Sequence, residues 1–189
     1  LLVGLLTLGL TGQLAGRLFQ SRRAALTAML VLASNTTFIS ASLRATPDIL
    51  LTAACLLSLS GFMGLLFAPR PARRDPWCAY LGIGLAVAAK GMLGLLLPLF
   101  VGLVVLASGS DRRARLRKLL HPLPMLLGAA LAVGWFAAVY ARFNSLAIQG
   151  FLNDQVGDRA ARSAGQIGAN LLAYTVGAAL RFSPWSLLL

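Results

Sequence analysis

The chemistry open to this sequence rests first on Lys90. It interrupts an apolar stretch, residues 83–100, between Ala89 and Gly91. An ammonium group at bilayer depth costs roughly 2.5–3.5 kcal/mol on insertion scales, so such a lysine faces a cavity, a partner or the headgroups. Gly91 leaves room for a bulky anionic group to approach the backbone. Two readings fit: Lys90 holds a lipid phosphate at the membrane surface, or it snorkels from a turn and marks the interface. Arg44 and Asp48 bracket a second polar position, Arg44-Ala45-Thr46-Pro47-Asp48. Proline starts a helix well and puts Asp48 in its first turn, where a carboxylate complements the helix dipole. Beside that structural role, with a local ion pair to Arg44, stands an external site for a phosphate or a sugar hydroxyl. The guanidinium suits a bidentate grip on phosphate. A third cluster, FLNDQVGDR at 151–159, carries Asp154, Gln155, Asp158 and Arg159, with Arg162 just beyond. It reads either as a solvated loop along the interface or as a lining for sugar and phosphate.

The elements that must position these groups are membrane helices. Hydrophobic residues make up 58% of the 189 and charged residues 12%, where a soluble domain carries roughly 25% charge. The mean hydropathy is +0.80. Too little polar side chain is present to cover a water-facing surface, and the apolar runs approach the roughly 20 residues that span a bilayer. The runs are continuous and lack the alternation of a barrel strand. The expectation is an all-α, polytopic transmembrane helix bundle of about seven segments: 1–19, 24–43, 47–68, 77–89, 92–108, 122–140 and 169–189. The whole of 1–189 reads as one membrane core. Both ends fall inside apolar runs without an initiator Met or a basic leader, and are read as cuts through a longer protein.

The net charge of +12 invites a nucleic-acid partner, since basic runs can bind phosphate backbones. These runs instead sit at the ends of apolar spans, which is membrane topology. Arg17, Arg22 and Arg23 form one basic connection; Arg70, Arg73 and Arg74 a second; Arg112, Arg113, Arg115, Arg117 and Lys118 a third. The positive-inside rule makes all three cytoplasmic. Between two cytoplasmic loops the chain crosses the membrane an even number of times, so it must turn outside near Arg44–Asp48 and again at Lys90-Gly91. A further helix after Lys118 leads out and leaves an external loop at about 142–169. The three polar clusters then converge on the extracytoplasmic face.

Other features read as architecture. Gly12-x-x-x-Gly16 fits close helix packing. Trp77, Trp135, Phe136 and Tyr140 are interfacial anchors. Cys55 and Cys78 have no redox or metal spacing, and His121 is the single histidine. Arg181 lies in the last span and either snorkels or faces a cavity.

The run Arg44-Ala45-Thr46-Pro47-Asp48-Ile49-Leu50-Leu51-Thr52 resembles the external turn of lipid-linked sugar transferases of the GT-C superfamily. The nearest branch is glycosyltransferase family 39, which includes protein O-mannosyltransferases and aminoarabinose transferases acting on lipid A. AVAAKGMLGLLLP, Ala86 to Pro98, is similar to that family's Lys-Gly turn before a Leu-rich helix. Ser183-Pro184-Trp185 is similar to its late Pro-Trp, and the helix through Trp135 and Tyr140 followed by Phe-Leu-Asn-Asp-Gln fits as well.

This resemblance implies a GT-C-like membrane core in a bacterial inner membrane. It implies transfer of a sugar from a polyprenyl-phosphate donor to a lipid, glycan or protein acceptor on the periplasmic face, with inversion. Lys90 would neutralise the donor phosphate, assisted by Arg159, while Arg44, Asp48, Asp154 and Gln155 would line the cavity. The family's acidic residue in its first external loop, the expected base, would precede Leu1, which leaves these 189 residues inactive alone. The segment after Tyr140 lacks the His or Glu of many relatives, so a divalent metal has no support here. The competing class is a transporter or flippase, since intramembrane charge and broken helices also mark transport paths; a noncatalytic scaffold is the third. Transport favours paired midplane charges and repeat symmetry, whereas here the charges gather at one face.

Overall fold

A computed structural model describes residues 1–44, 46–107, 112–152, 164–182 and 185. Asp154, Gln155 and Arg159 lie outside the described residues, as do Asp158 and Arg162. Among the described residues the chain is helical throughout, with no strand. In chain order the helices are α1 (Leu2–Phe19), α2 (Arg22–Ala33), α3 (Thr36–Leu43), α4 (Pro47–Phe67), α5 (Asp75–Lys90), α6 (Met92–Ala107), α7 (Arg112–Leu119), α8 (Pro122–Leu152) and α9 (Ala164–Arg181).

Three of these, α1, α4 and the Pro122–Phe143 part of α8, are long and apolar enough to cross a membrane. The bent pair α2 and α3 makes a fourth if it counts as one span. With 16 residues each, α5 and α6 reach only about 24 Å at 1.5 Å per residue, short of a hydrocarbon core of about 30 Å.

Helix α4 is the hub. It packs on α5 most extensively and also on α1, with α5 in turn packed on α6 and α8. Small residues make this possible. A methyl at Gly61 would run into the backbone of Asp75 and Ala79, and one at Gly82 into that of Ser58. Gly84 and Gly128 oppose each other across α5 and α8. With no hydrophobic driving force between helices in lipid, close backbone approach is what van der Waals association requires. Gly12 and Gly16 serve α1 in the same way, against Met29 and Ala25 of α2. The buried centre is correspondingly small, around Ala54, Cys55 and Ala86. Large apolar side chains point outward instead: Leu5, Leu30, Leu103 and Leu126 are all more than half exposed. That distribution needs an apolar solvent.

Several elements differ from the sequence expectation: the third basic connection forms helix α7, and α9 starts at Ala164, inside the stretch expected as an external loop to 169. The single segment expected at 24–43 is two helices bent by 70°, because Asn35 starts a new helix: its Oδ1 accepts the Phe38 N–H at 2.9 Å. Helix α8 also continues past Arg142 to Leu152, through residues that the composition had assigned to a loop. The turn at Lys90-Gly91 forms where expected, with Gly91 at φ 62°, a conformation glycine adopts without steric cost.

Candidate functional site

α4 and α5 are antiparallel neighbours, so the first turn of α4 and the last turn of α5 meet at one end of the bundle. Asp48 stands in the first and Lys90 in the second. Each side chain complements its own helix dipole, and the two are joined: Lys90 Nζ donates to Asp48 Oδ1. The ion pair expected between Arg44 and Asp48 is therefore made by Lys90. Arg44 follows α3 as its C-cap, with an exposed side chain. Between Arg44 and Asp48, the Thr46 hydroxyl is buried without a hydrogen-bond partner among the described residues.

Beside this pair lies a cleft of about 340 Å³ between the α2–α3 break, the start of α4 and the end of α9. Its surface is mostly apolar, with Phe38, Ile49 and Phe182 in the wall; Asp48, Asn35, Thr37, Thr52 and Arg181 also line it but add little polar surface. Three bonds fix the geometry. Asn35 Nδ2 donates to the Arg181 carbonyl at 3.1 Å, the Trp185 indole N–H donates to Ser34 Oγ at 2.9 Å, and the Thr52 hydroxyl turns back to the Asp48 carbonyl at 2.8 Å. Arg181 is among the residues that line this cavity, and its side chain is exposed. Asn35 carried no functional weight in the sequence reading; the only signal was a Ser-Asn pair inside an apolar run.

The opposite end is built around Asp75, also missed because it follows an arginine cluster that reads as a solvated loop. Asp75 is 2% exposed. Its Oδ1 receives Arg17 Nη2 at 3.1 Å and its Oδ2 the Ala72 N–H at 2.8 Å, while Arg17 Nη1 donates to the Ser60 carbonyl at 2.6 Å. Nearby, the Arg115 guanidinium lies 5.9 Å from the centre of the Phe67 ring. Phe67 ends the helix that Asp48 begins, so Lys90 and Arg115 are separated by nearly the whole length of α4, about 28 Å at 1.5 Å per residue. The arginine-rich connections and the Lys90–Asp48 pair occupy opposite ends of the bundle.

Among the described residues no group of three or more His, Cys, Asp or Glu side chains could hold a metal ion; Asp48 and Asp75 lie at opposite ends.

The family model of dolichyl-phosphate-mannose-protein mannosyltransferases matches residues 1–141, three quarters of the chain. The chain belongs to this family. It is a membrane glycosyltransferase of the GT-C type. No curated protein and no solved structure matches it. The mannosyltransferase match takes in Arg44, Asp48 and Lys90 together with the Arg17–Asp75 pair at the far end; Asp154, Gln155, Arg159 and Arg181 fall beyond it.

Proposed function

We propose that the Lys90 end of the bundle transfers a sugar from a polyprenyl-phosphate donor to a lipid, glycan or protein acceptor, on the extracytoplasmic side of a bacterial inner membrane. The observation that carries this reading is the Lys90–Asp48 ion pair, at the end remote from the arginine-rich connections and beside a mostly apolar cleft that Asp48 lines. Those connections belong in the cytoplasm by the positive-inside rule. The cleft opens at headgroup depth, where the phosphate of an amphiphilic donor lies.

In this mechanism the bond between the anomeric carbon and the phosphate oxygen breaks as an acceptor oxygen attacks from the opposite face. Configuration inverts, and the acceptor proton passes to the acidic base that the family resemblance implies. Negative charge grows on the departing lipid phosphate. Lys90 supplies fixed positive charge there, and a preorganised donor of this kind contributes about 10²–10³ in rate. Asp48 pairs with the ammonium at the turn, Arg44 is a further cation near this turn, and the family resemblance assigns Arg159 to the donor phosphate. The resemblance likewise makes Asp154 and Gln155 lining residues of the donor cavity.

The test uses the full-length protein in membranes with a polyprenyl-phosphate sugar donor. Lys90→Ala is expected to cut transfer by about 10²-fold or more while insertion and folding persist. Undiminished transfer would remove Lys90 from the site. Release of sugar-free polyprenyl phosphate, followed by mass spectrometry, separates transfer from the competing flippase reading, in which the donor changes leaflet with its sugar–phosphate bond intact.

A further inference from the structure

At the arginine-rich end two cavities adjoin. One, of about 310 Å³, is polar and basic, lined by Arg17, Gln20, Arg70 and Asp75 over a floor of Met63 and Phe67. The other, of about 150 Å³, is an apolar groove between α1, α4 and α6, lined by Leu14, Leu18, Phe62 and Val101, with Gly102 at its wall. Met63 and Phe67 belong to both, so the polar pocket continues directly into the groove. A basic pocket joined to an apolar groove has the shape and chemistry of a charged amphiphile. Leu18 and Phe67 are each 52% exposed, which leaves the groove open toward the acyl chains of the bilayer.

The charge balance favours an anion. Asp75 is the acid among these lining residues, and both its oxygens are already engaged, by Arg17 and by the Ala72 N–H. Arg70 is exposed at the rim, and the Arg115 guanidinium stands over Phe67. The Gln20 amide N–H donates to the Arg17 carbonyl at 2.7 Å, which holds this side chain at the pocket wall. Basic pockets between membrane helices on the cytoplasmic side suit anionic headgroups.

We propose that this two-part cleft binds one anionic phospholipid, its phosphate at Arg70 and Arg17 and an acyl chain along the groove beneath. A water-soluble phosphate has no use for the groove. The site lies at the end opposite Lys90 and is independent of the transfer reaction.

The experiment measures thermal unfolding of the purified full-length protein in phosphatidylcholine nanodiscs as phosphatidylglycerol replaces part of the lipid. A saturable rise in Tm is expected with phosphatidylglycerol and none with added phosphatidylcholine. Arg70→Gln should weaken the apparent affinity about tenfold, the scale of one hydrogen bond to a charged group. Gly102→Leu should remove the saturable rise while the protein still folds, because a Cβ at Gly102 meets nothing within 4 Å. Arg113→Gln, on α7 outside the pocket, should leave the affinity unchanged. An equal response to both lipids overturns the proposal. So does an Arg113→Gln loss matching that of Arg70→Gln, since diffuse attraction would then suffice, or a Gly102→Leu protein with unaltered response. Displacement of phosphatidylglycerol by trace polyprenyl phosphate would assign the cleft to the carrier lipid instead, and overturns it too.

Discussion

Lys90 and Arg17 each meet one aspartate, and their surroundings give the two pairs different work. The Asp75 side chain is 3% exposed and that of Arg17 25%, against 60% for Asp48 and 31% for Lys90. Removing one partner of a buried pair strands the other charge and costs about 3–5 kcal/mol. An exposed pair contributes about 0–1 kcal/mol after screening and side-chain entropy. Arg17→Ala should therefore lower stability by about 3 kcal/mol, whereas Lys90→Ala should change it by no more than about 1 kcal/mol. Denaturant or thermal unfolding of the two variants side by side checks this. If Lys90→Ala proves as damaging as Arg17→Ala, the lysine is a structural fastening and its loss of activity would say nothing about chemistry. Lys90 was legible in the sequence because a lone charge in an apolar run has few explanations. Asp75 was not: in Arg73-Arg74-Asp75-Pro76 it looks like one more loop charge, and only the fold shows it turned inward against Arg17.

Helix boundaries followed the sequence where a backbone-determining residue stands at them. Pro47 opens α4, and Gly91, at φ 62°, separates α5 from α6. They failed where the signal was a side-chain hydrogen bond. In the run Val31-Leu32-Ala33-Ser34-Asn35-Thr36-Thr37-Phe38 nothing forbids a continuous helix, yet Asn35 caps α3 and holds α9 through the Arg181 carbonyl. The polar residues after Arg142 misled in the other direction, since Asn144, Ser145 and Gln149 sit in a helix without breaking it. Asn35→Ala removes the cap and the donor to α9 together and should cost about 2 kcal/mol, roughly 1 for the cap and a similar amount for the second bond. Asn35→Asp keeps an acceptor for the Phe38 N–H but offers no donor to the Arg181 carbonyl, so it should recover about half. Equal losses in the two variants would show that the cap contributes nothing and that the contact with α9 alone holds the break.

At the scale of the whole molecule, the fold class and the gathering of charge at one end were legible, because composition and the spacing of arginines depend on no tertiary detail. What the arginines could not give was the distance between the ends. That follows from α4, which carries Asp48 in its first turn and Phe67, under Arg115, in its last. The separation of about 28 Å matches a hydrocarbon core of about 30 Å, so a membrane enclosing α4 leaves Lys90 at one interface and the arginine-rich helix α7 at the other. Single-cysteine labelling tests this directly, in a background with Cys55 and Cys78 replaced. With the basic end held inside by the positive-inside bias, Arg44→Cys should react with a membrane-impermeant maleimide on intact cells. Arg113→Cys should react only after permeabilisation. Both side chains are exposed at helix ends, so a failure to label reports sidedness rather than burial. Reaction of both from outside, or of neither, would put Lys90 and α7 at the same interface. The sugar-transfer site proposed at Lys90 would then face the compartment of the arginines, and α4 would have to lie along the membrane instead of crossing it.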